Sequence, residues 1–294
     1  IIKMSHSDIA SEREITARAV NSFAHTPDAR LRFLLQKLVG HLHNFASEVE
    51  LGEAEWFQAI QFLTATGQKC DDVVRQEFIL LSDVLGLSML VDAIEHRNGA
   101  EATESTVFGP FYISGMPDRE YGENMALIPG NASLITGCVR DITGKPLAGA
   151  TLDVWQTAEN GQYSGQDVNQ PHGNLRGRYH TDEHGRYAIR SVVPVSYPIP
   201  TDGPVGQLLE ATGRHPWRPA HLHFMLDAPG HKRLVTHVFN DDDPYIDSDA
   251  VFGVKDSLRV VYQPRGASDP LASQFDIGTD FHLASFDFVL DTTA

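Results

Sequence analysis

The stretch Arg218-Pro219-Ala220-His221-Leu222-His223-Phe224 places a single residue between two histidines. Because successive side chains of a β-strand point to opposite faces, His221 and His223 would project to the same side of a strand, and their apolar neighbours to the other side. Two imidazoles on one face are a natural pair of metal ligands. The same pattern is also consistent with two partly buried histidines that hydrogen-bond to the backbone.

The remaining ligands of such a metal must come from elsewhere in the chain. The sequence has only two cysteines, far apart, which excludes a thiolate zinc or blue-copper site. A site of two histidines and one carboxylate stays possible, because Asp227 and residues 241–243 lie nearby. Phenolate oxygen is the other candidate, since tyrosine is an established iron ligand and both Tyr163 and Tyr197 lie in loop-like segments. Taken alone, either tyrosine is more typical of a packing residue.

Short segments of alternating hydrophobicity surround the histidine strand from about residue 133 to the end. Examples are residues 150–154 and 258–262, and residues 282–290 form the last predicted strand. Turn-forming residues separate them, as in residues 182–185. Strands at this spacing are typical of an antiparallel β-sandwich.

The N-terminal part has a different periodicity, and residues 8 to about 98 are predicted to be helical. Apolar residues between Leu31 and Phe45 follow the spacing of an amphipathic helix, and Asp28 is a suitable cap at its start. Further helices are predicted near residues 53–66 and near residues 71–85, the latter including Val74. Such stripes pack helix on helix, and a long apolar face can also form a subunit interface.

These patterns predict an α+β protein. We expect a helical region at residues 1–98, a linker at residues 99–132 that contributes to the wall of the site, and a C-terminal antiparallel β-sandwich at residues 133–294 that carries the metal.

Composition limits the possible partners and location. A chain of 294 residues with 41% hydrophobic residues can build one large domain or two smaller ones. The formal net charge of −16 argues against nucleic-acid binding. No apolar run approaches the roughly 20 residues needed to span a bilayer. Cys70 and Cys138 form no disulfide framework, which favours a cytoplasmic location.

Three motifs, taken together and in this order, resemble the intradiol ring-cleaving dioxygenases. They are Gly161-Gln-Tyr-Ser164, Ser196-Tyr-Pro198 and the histidine stretch at residues 218–224. The segments Gly109-Pro-Phe-Tyr112 and Asp153-Val-Trp-Gln156 are also similar to that family. The resemblance covers the whole chain, and it is specific because four ligand positions and their order match.

The resemblance implies one ferric ion, Fe(III), per subunit, held by Tyr163, Tyr197, His221 and His223 with a hydroxide in the fifth position. It also implies that O2 cuts an aromatic diol ring between its two hydroxylated carbons. In that chemistry Tyr197 leaves the metal and accepts a diol proton, and Arg218 stabilises negative charge on the substrate. The alternative role for Arg218 is an ordinary surface salt bridge.

The resemblance further implies a homodimer that forms through the N-terminal helices, with a phospholipid bound at the helical interface. The predicted apolar helical faces suit that role. His237 departs from the family pattern, because many relatives have glutamine there. We place it as a hydrogen-bonding partner of a ligand, and the alternative is a competing metal ligand.

Alignment with the family also implies the residues that contact the substrate. These are Leu80, Asp83, Val107, Gly109, Pro110, Phe111, Ile199, Pro200, Arg218 and Val251. Asp83 is informative, because a carboxylate that faces a ring pocket is costly to desolvate unless the substrate offers a hydrogen-bond donor. A third hydroxyl would do so. The expected substrate is therefore hydroxyquinol (benzene-1,2,4-triol), with 3-hydroxy-cis,cis-muconate, the enol form of maleylacetate, as product. The alternative for Asp83 is an exposed helix residue.

Three other interpretations remain open from the sequence. The first is a catechol or chlorocatechol enzyme of the same family. The second is a non-catalytic β-sandwich binding module, since residues 137–150 also resemble prealbumin-like domains. The third is a zinc hydrolase that uses His221, His223 and a carboxylate. Colour separates the last two from the first, because tyrosinate bound to ferric iron absorbs visible light.

Overall fold

The computed structural model describes residues 6–71, 75–96 and 101–293, with side chains from residue 11 onward. The chain divides into two compact units between residues 65 and 66. The predicted boundary at residues 98 and 99 lies outside the described residues. None of the described helices is long and apolar enough to cross a membrane.

The described residues form seven α-helices and twelve β-strands. The helices are α1 His6–Asn21, α2 Ala29–Glu48, α3 Glu53–Lys69, α4 Glu77–Val84, α5 Leu87–Glu95, α6 Pro204–Ala211 and α7 Pro270–Gln274. The strands are β1 Ala132–Asp141, β2 Thr151–Trp155, β3 Arg176–His180, β4 Arg186–Val192, β5 Tyr197–Pro198, β6 Trp217–Arg218, β7 His221–Asp227, β8 Leu234–Asn240, β9 Arg259–Val260, β10 Gln263–Arg265, β11 Phe281–Ser285 and β12 Phe288–Leu290. The predicted α+β class is confirmed.

The smaller unit contains α1, α2 and most of α3. The predicted start of α2 is confirmed, because the Asp28 side chain accepts a hydrogen bond from the Leu31 amide at 2.8 Å. The apolar stripe of α2 is about half exposed in the single chain; it comprises Leu31, Leu34, Leu38, Leu42 and Phe45.

The helix predicted for residues 71–85 begins later than expected, at Glu77. The Asp71 amide donates to the Arg75 carbonyl, and the Arg75 amide donates to Oδ1 of Asp71. Backbone groups bonded in this way cannot also form a first helical turn. Val74, which the same prediction places on this helix, lies outside the described residues.

The strands form two five-stranded sheets and one short pair. In the first sheet β10, β11, β1 and β12 follow in order, with β4 also paired to β1. In the second the order is β3, β2, β7, β8 and β9, and β5 pairs with β6. The predicted antiparallel arrangement is correct only in part. The C-terminal strands β11 and β12 return beside β1 in parallel, and β9 runs parallel to β8.

One hydrophobic core joins the two five-stranded sheets. Ile135 and Phe288 of the first sheet belong to the same buried cluster as Val154, Leu222 and Phe224 of the second. Leu222 and Phe224 come from the face of β7 opposite to the two histidines, as the alternation of the strand requires. The core therefore fixes which way His221 and His223 point.

Two predicted strands are interrupted. Residues 256–258 form a 3₁₀ turn, so that only Arg259–Val260 of the predicted strand at residues 258–262 is extended. The last predicted strand, residues 282–290, is split into β11 and β12. At the break the Phe286 carbonyl approaches Gly137 of β1 so closely that no Cβ would fit there.

A buried carboxylate fixes α4 against α6. Glu77 is fully buried; its Oε1 accepts a hydrogen bond from the Val205 amide in the first turn of α6 at 3.0 Å, and its Oε2 pairs with Arg75 at 2.6 Å. The positive end of a helix dipole favours an anion at that position. This contact positions the helix that carries Leu80 and Asp83.

Replacing Glu77 with alanine leaves the Arg75 guanidinium and the Val205 amide without this buried partner. We expect the free energy of unfolding to fall by about 2–4 kcal/mol, measured by urea denaturation. Glu123→Ala is the control, because it removes a partly exposed carboxylate paired with Arg119 and should cost at most about 1 kcal/mol. If both variants lost the same free energy of unfolding, the burial of Glu77 would not explain its contribution to stability.

Candidate active site

Three separate segments bring the four predicted ligands together. Tyr163 lies in the loop between β2 and β3, and Tyr197 begins the short strand β5, where it pairs with Arg218 of β6. His221 and His223 lie on one face at the start of β7. All four predicted ligands are at least nine-tenths buried.

The polar atoms of these side chains converge on a common point. Tyr163 Oη lies 2.8 Å from His223 Nε2 and 3.1 Å from Tyr197 Oη. His221 Nε2 lies 3.2 Å from His223 Nε2 and 3.5 Å from Tyr197 Oη. Ligands bound at about 2.1 Å from a common ion are separated by about 3.0–3.5 Å, so the spacing fits a metal.

His221 is held so that its Nε2 lone pair faces this point. Its Nδ1 lies 2.7 Å from the Pro219 carbonyl oxygen, which can only accept, so Nδ1 carries the proton. Burial, together with the charge of Arg218, lowers the pKa of His221 to about 3. The imidazole is therefore neutral at ordinary pH and offers a free lone pair, as a metal ligand must.

His223 is supported from behind by His237. His237 Nε2 lies 2.7 Å from His223 Nδ1, and His237 Nδ1 lies 2.7 Å from the Thr106 hydroxyl. The three histidines are close enough to form a metal-binding group by themselves. However, His237 directs its Nε2 at the outer nitrogen of His223, so it lies behind that ring and not beside the two tyrosines. The geometry agrees with the predicted supporting position, whereas its function stays a prediction.

Flat packing also restrains His223. The Trp155 ring stacks on it with 4.7 Å between centroids and 13° between planes. On another side, Gly109 has a positive φ of 76°, and a Cβ there would lie 3.1 Å from Cε1 of His223. The imidazole is therefore enclosed by an aromatic face and by backbone that favours glycine.

Tyr163 needs a cation nearby before it can ionise. Burial, then the neighbouring Tyr197, raises the pKa of Tyr163 well above its ordinary value. The Arg176 guanidinium lies 5.8 Å from the Tyr163 ring centre and is itself fixed by Ser164 and by the Phe111 carbonyl. A multivalent metal at the convergence point would supply the positive charge that a phenolate requires.

Three of the carboxylates considered from the sequence are engaged elsewhere. Asp227 pairs with Arg233 at the surface, and Asp241 faces Arg259. Asp243 is buried, but its oxygens accept hydrogen bonds from Ser196 and from the amides of Ala220 and Tyr245. The donor set that converges is therefore two phenol oxygens and two imidazole nitrogens, which suits a hard, highly charged ion better than zinc.

A cavity of about 340 Å³ opens beside this point. All ten predicted substrate-contact residues line it: Leu80, Asp83, Val107, Gly109, Pro110, Phe111, Ile199, Pro200, Arg218 and Val251. Tyr197 lines it as well. The cavity also includes residues that the sequence did not suggest, among them Arg75, Ile79 and Gln162. The volume is at the small end of ligand pockets, as a single aromatic ring requires.

Arg218 is buried and held by a partner that the sequence did not suggest. Asp249 lies 3.2 Å from Nε of Arg218 and also accepts hydrogen bonds from the Val251 and Gly253 amides. Burial alone would lower the pKa of Arg218, but the charge of Asp249 beside it raises the pKa above its ordinary value. The guanidinium is therefore a permanent positive charge in the cavity wall, not a surface salt bridge.

Asp83 is a buried residue of the cavity wall. Burial raises the pKa of its carboxyl group, and the Ser88 hydroxyl and the Arg218 charge offset only part of that effect. The alternative of an exposed helix residue is wrong, because Asp83 is only 9% exposed. A ring that enters the cavity would meet a carboxyl group capable of another hydrogen bond.

Thr106 and Trp155 also support the site, and the sequence did not identify either as functional. The partner of His237 could have been sought among hydroxyl residues near the predicted cavity wall, since Thr106 precedes Val107. Trp155 is the last residue of the alternating strand β2, but no local pattern indicates which ring it stacks on.

Comparison with known proteins agrees with this arrangement. The family model described as Dioxygenase matches residues 107–292, and the model described as Catechol dioxygenase N terminus matches residues 28–103. The chain therefore belongs to the intradiol ring-cleavage dioxygenases, which are enzymes that open aromatic diols. This membership sets aside the binding module and the zinc hydrolase.

Individual relatives are similar over most of their length. A solved structure of hydroxyquinol 1,2-dioxygenase from Pseudomonas putida DLL-E4 matches with a TM-score of 0.93 and 62% identity, covering 97% of this chain and 99% of that one. The 6-chlorohydroxyquinol 1,2-dioxygenase of Cupriavidus pinatubonensis is 52% identical, over 84% of this chain and 90% of its own. The hydroxyquinol 1,2-dioxygenase of a Rhizobium species is also 52% identical, over 80% of each chain.

The Gly109 contact gives a direct test of the site. Gly109→Ala should lower ring-cleaving turnover by about 10- to 100-fold, because the new methyl group displaces His223. Gly144→Ala is the matched control, since it has a similar φ of 83° but no atom within 4 Å of the new Cβ. Both variants should lose about 1–3 kcal/mol of stability to backbone strain. Unchanged turnover in Gly109→Ala would show that the close contact between Gly109 and His223 is not needed for ring cleavage.

Proposed function

We propose that this enzyme cleaves hydroxyquinol between its 1- and 2-hydroxylated carbons with O2, giving 3-hydroxy-cis,cis-muconate, in aromatic degradation. The observation that supports this proposal is the convergence of two tyrosine oxygens and two neutral imidazoles at one end of a ring-sized cavity. The names of the relatives at 52–62% identity favour hydroxyquinol over other diols.

Tyr163, Tyr197, His221 and His223 would hold one Fe(III) per subunit. Two anionic oxygens and two neutral nitrogens favour a trivalent ion over a divalent one, because the phenolates balance more of its charge. When bound, ferric iron would withdraw electron density from the diol, so that a ring carbon becomes reactive toward O2. His237 and Thr106 would fix the orientation of the His223 ring.

Tyr197 would accept a proton from the diol, and Arg218 would stabilise the negative charge on the bound substrate. A diol that binds through both oxygens must lose two protons, and Tyr197 is the tyrosine of the pair that also lines the cavity. Its Oη would accept one of these protons, and a hydroxide ion bound in the site would accept the other. The Arg218 guanidinium, held by Asp249, would stabilise negative charge that develops on the ring.

Asp83 would favour a substrate that carries a third hydroxyl group. The carboxyl group is buried, and hydroxyquinol offers at position 4 a donor that catechol lacks. Binding catechol would leave Asp83 without that hydrogen bond in a dry pocket. Catechol or chlorocatechol as the preferred substrate is the alternative within the family.

The remaining predictions concern assembly and location. We propose that the two five-stranded sheets form a β-sandwich, which their shared core supports. The half-exposed apolar stripe of α2 supports a homodimer through the N-terminal helices. A phospholipid bound at that interface stays a prediction from the family resemblance. The cytoplasmic location stays a prediction from cysteine content.

The proposed metal site predicts a coloured protein. Purified enzyme should contain about one iron per chain and show a broad visible band from tyrosinate-to-iron charge transfer, which changes when hydroxyquinol is added without O2. Tyr163→Phe and Tyr197→Phe should each weaken or shift the band. Tyr262→Phe is the control, because it removes a hydroxyl from a buried core tyrosine elsewhere. A colourless, iron-free active enzyme would refute the site.

The proposed role of Asp83 predicts a change in selectivity. Asp83→Ala should lower kcat/KM for hydroxyquinol by about 10- to 100-fold more than for catechol, which corresponds to one hydrogen bond to a charged group. Asp92→Ala is the control, because it removes a helix aspartate whose side chain is buried and pairs with Lys255 outside the cavity. Equal losses on both substrates would remove the argument for hydroxyquinol.

A further inference from the structure

Asp243, which follows β8, makes contacts that no step of the proposed chemistry uses. Its Oδ2 accepts hydrogen bonds from the Ser196 hydroxyl at 2.6 Å and from the Ala220 amide at 2.9 Å. Its Oδ1 accepts a hydrogen bond from the Tyr245 amide at 2.8 Å. The residue is only 7% exposed. A buried carboxylate that satisfies three donors forms strong, charge-assisted hydrogen bonds.

The positions of two of these donors are informative. Ser196 immediately precedes Tyr197, and Ala220 immediately precedes His221. A single carboxylate oxygen therefore connects the two segments that carry these ligands, although the segments are more than twenty residues apart. Tyr197 Oη and His221 Nε2, the ligand atoms of these two segments, lie 3.5 Å apart.

Few other contacts hold Tyr197 in register with β7. Strand β5 has two residues and pairs only with the two residues of β6. Beyond it, the Ile199 amide donates to the Pro216 carbonyl. An edge this short contributes little cooperative stability. The hydrogen bonds to Asp243 restrain the other end of this short pair.

We propose that Asp243 is a positioning residue that sets the distance between Tyr197 and His221. This inference rests on the proposed metal site. By holding Ser196 and Ala220 on one oxygen, Asp243 keeps the phenol oxygen in range of the metal while leaving the tyrosine ring free to swing toward the substrate. Asparagine removes the negative charge and, because its NH2 group takes the place of one carboxylate oxygen, leaves at least one of the three donors without its acceptor.

Asp141 provides a closely matched control. It is 9% exposed and also accepts hydrogen bonds from one hydroxyl and two amides, those of Thr143 and Lys145. It is the last residue of β1, and it does not line the cavity. All three hydrogen bonds of Asp141 go to its Oδ1, whereas Asp243 uses both oxygens. Asp141→Asn therefore controls for the loss of a carboxylate charge away from the proposed site, and Asp243→Asn removes one acceptor in addition.

The experiment compares Asp243→Asn, Ser196→Ala and Asp141→Asn with the wild-type enzyme. Iron content, the rate of iron loss to a chelator, the visible band, kcat and the melting temperature are measured for each. We expect Asp243→Asn to lose iron about 10- to 100-fold faster, with a shifted band and reduced kcat, as for other residues that orient ligands. Ser196→Ala should change the same quantities less. Asp141→Asn should lower only the melting temperature.

The inference is overturned if Asp243→Asn and Ser196→Ala lower the melting temperature like Asp141→Asn but keep the wild-type iron-loss rate and band. Failure of the proposed function has a different signature, because the wild-type enzyme itself would then contain no iron and show no band. In that event crystal structures of wild type and Asp243→Asn still decide the question. The gap between Tyr197 Oη and His221 Nε2 should widen in the variant, and an unchanged gap overturns the inference.

Discussion

The site depends on the alternation of side chains along one central strand. β7 lies between β2 and β8, so both of its edges are hydrogen-bonded and it cannot slip. A shift of one residue would put Leu222 and Phe224 into the site and the imidazoles into the core. The apolar core therefore determines where His221 and His223 point, and the tyrosine loops, the cavity wall and the supporting histidine are arranged around them.

Local sequence patterns were sufficient to predict features that depend on residues close together in the chain. The cap at Asp28 and the shared face of His221 and His223 follow from helix and strand periodicity alone. The late start of α4 was missed, because a side chain at Asp71 competes for the backbone bonds of a first turn. The division of the last predicted strand was missed because it depends on Gly137, about 150 residues away, where a carbonyl passes too close for any side chain.

In the candidate site too, features that depend on sequence neighbours could be predicted, whereas features that depend on distant residues could not. His221 and His223 follow as a candidate ligand pair from strand alternation, but the complete ligand set and the cavity residues came from the resemblance to a family, since no spacing rule brings Tyr163 or Tyr197 to a distant strand. Of the partners behind them, His237 was predicted and the others were not. Asp249 and Thr106 are common residue types in ordinary loops, and only the folded chain shows that one fixes Arg218 and the other contacts His237.

Thr106 and Val107 are adjacent in the chain, but their side chains contact different parts of the site. The Thr106 hydroxyl bonds to the histidine behind His223, whereas Val107 lines the cavity where the ring would bind. Remodelling that wall to admit bulkier aromatics would therefore move the backbone on which the Thr106 hydroxyl depends. The size of the aromatic ring that the cavity admits and the hydrogen bonding behind the His223 imidazole therefore depend on the same stretch of backbone. Evolution or engineering must adjust the two together.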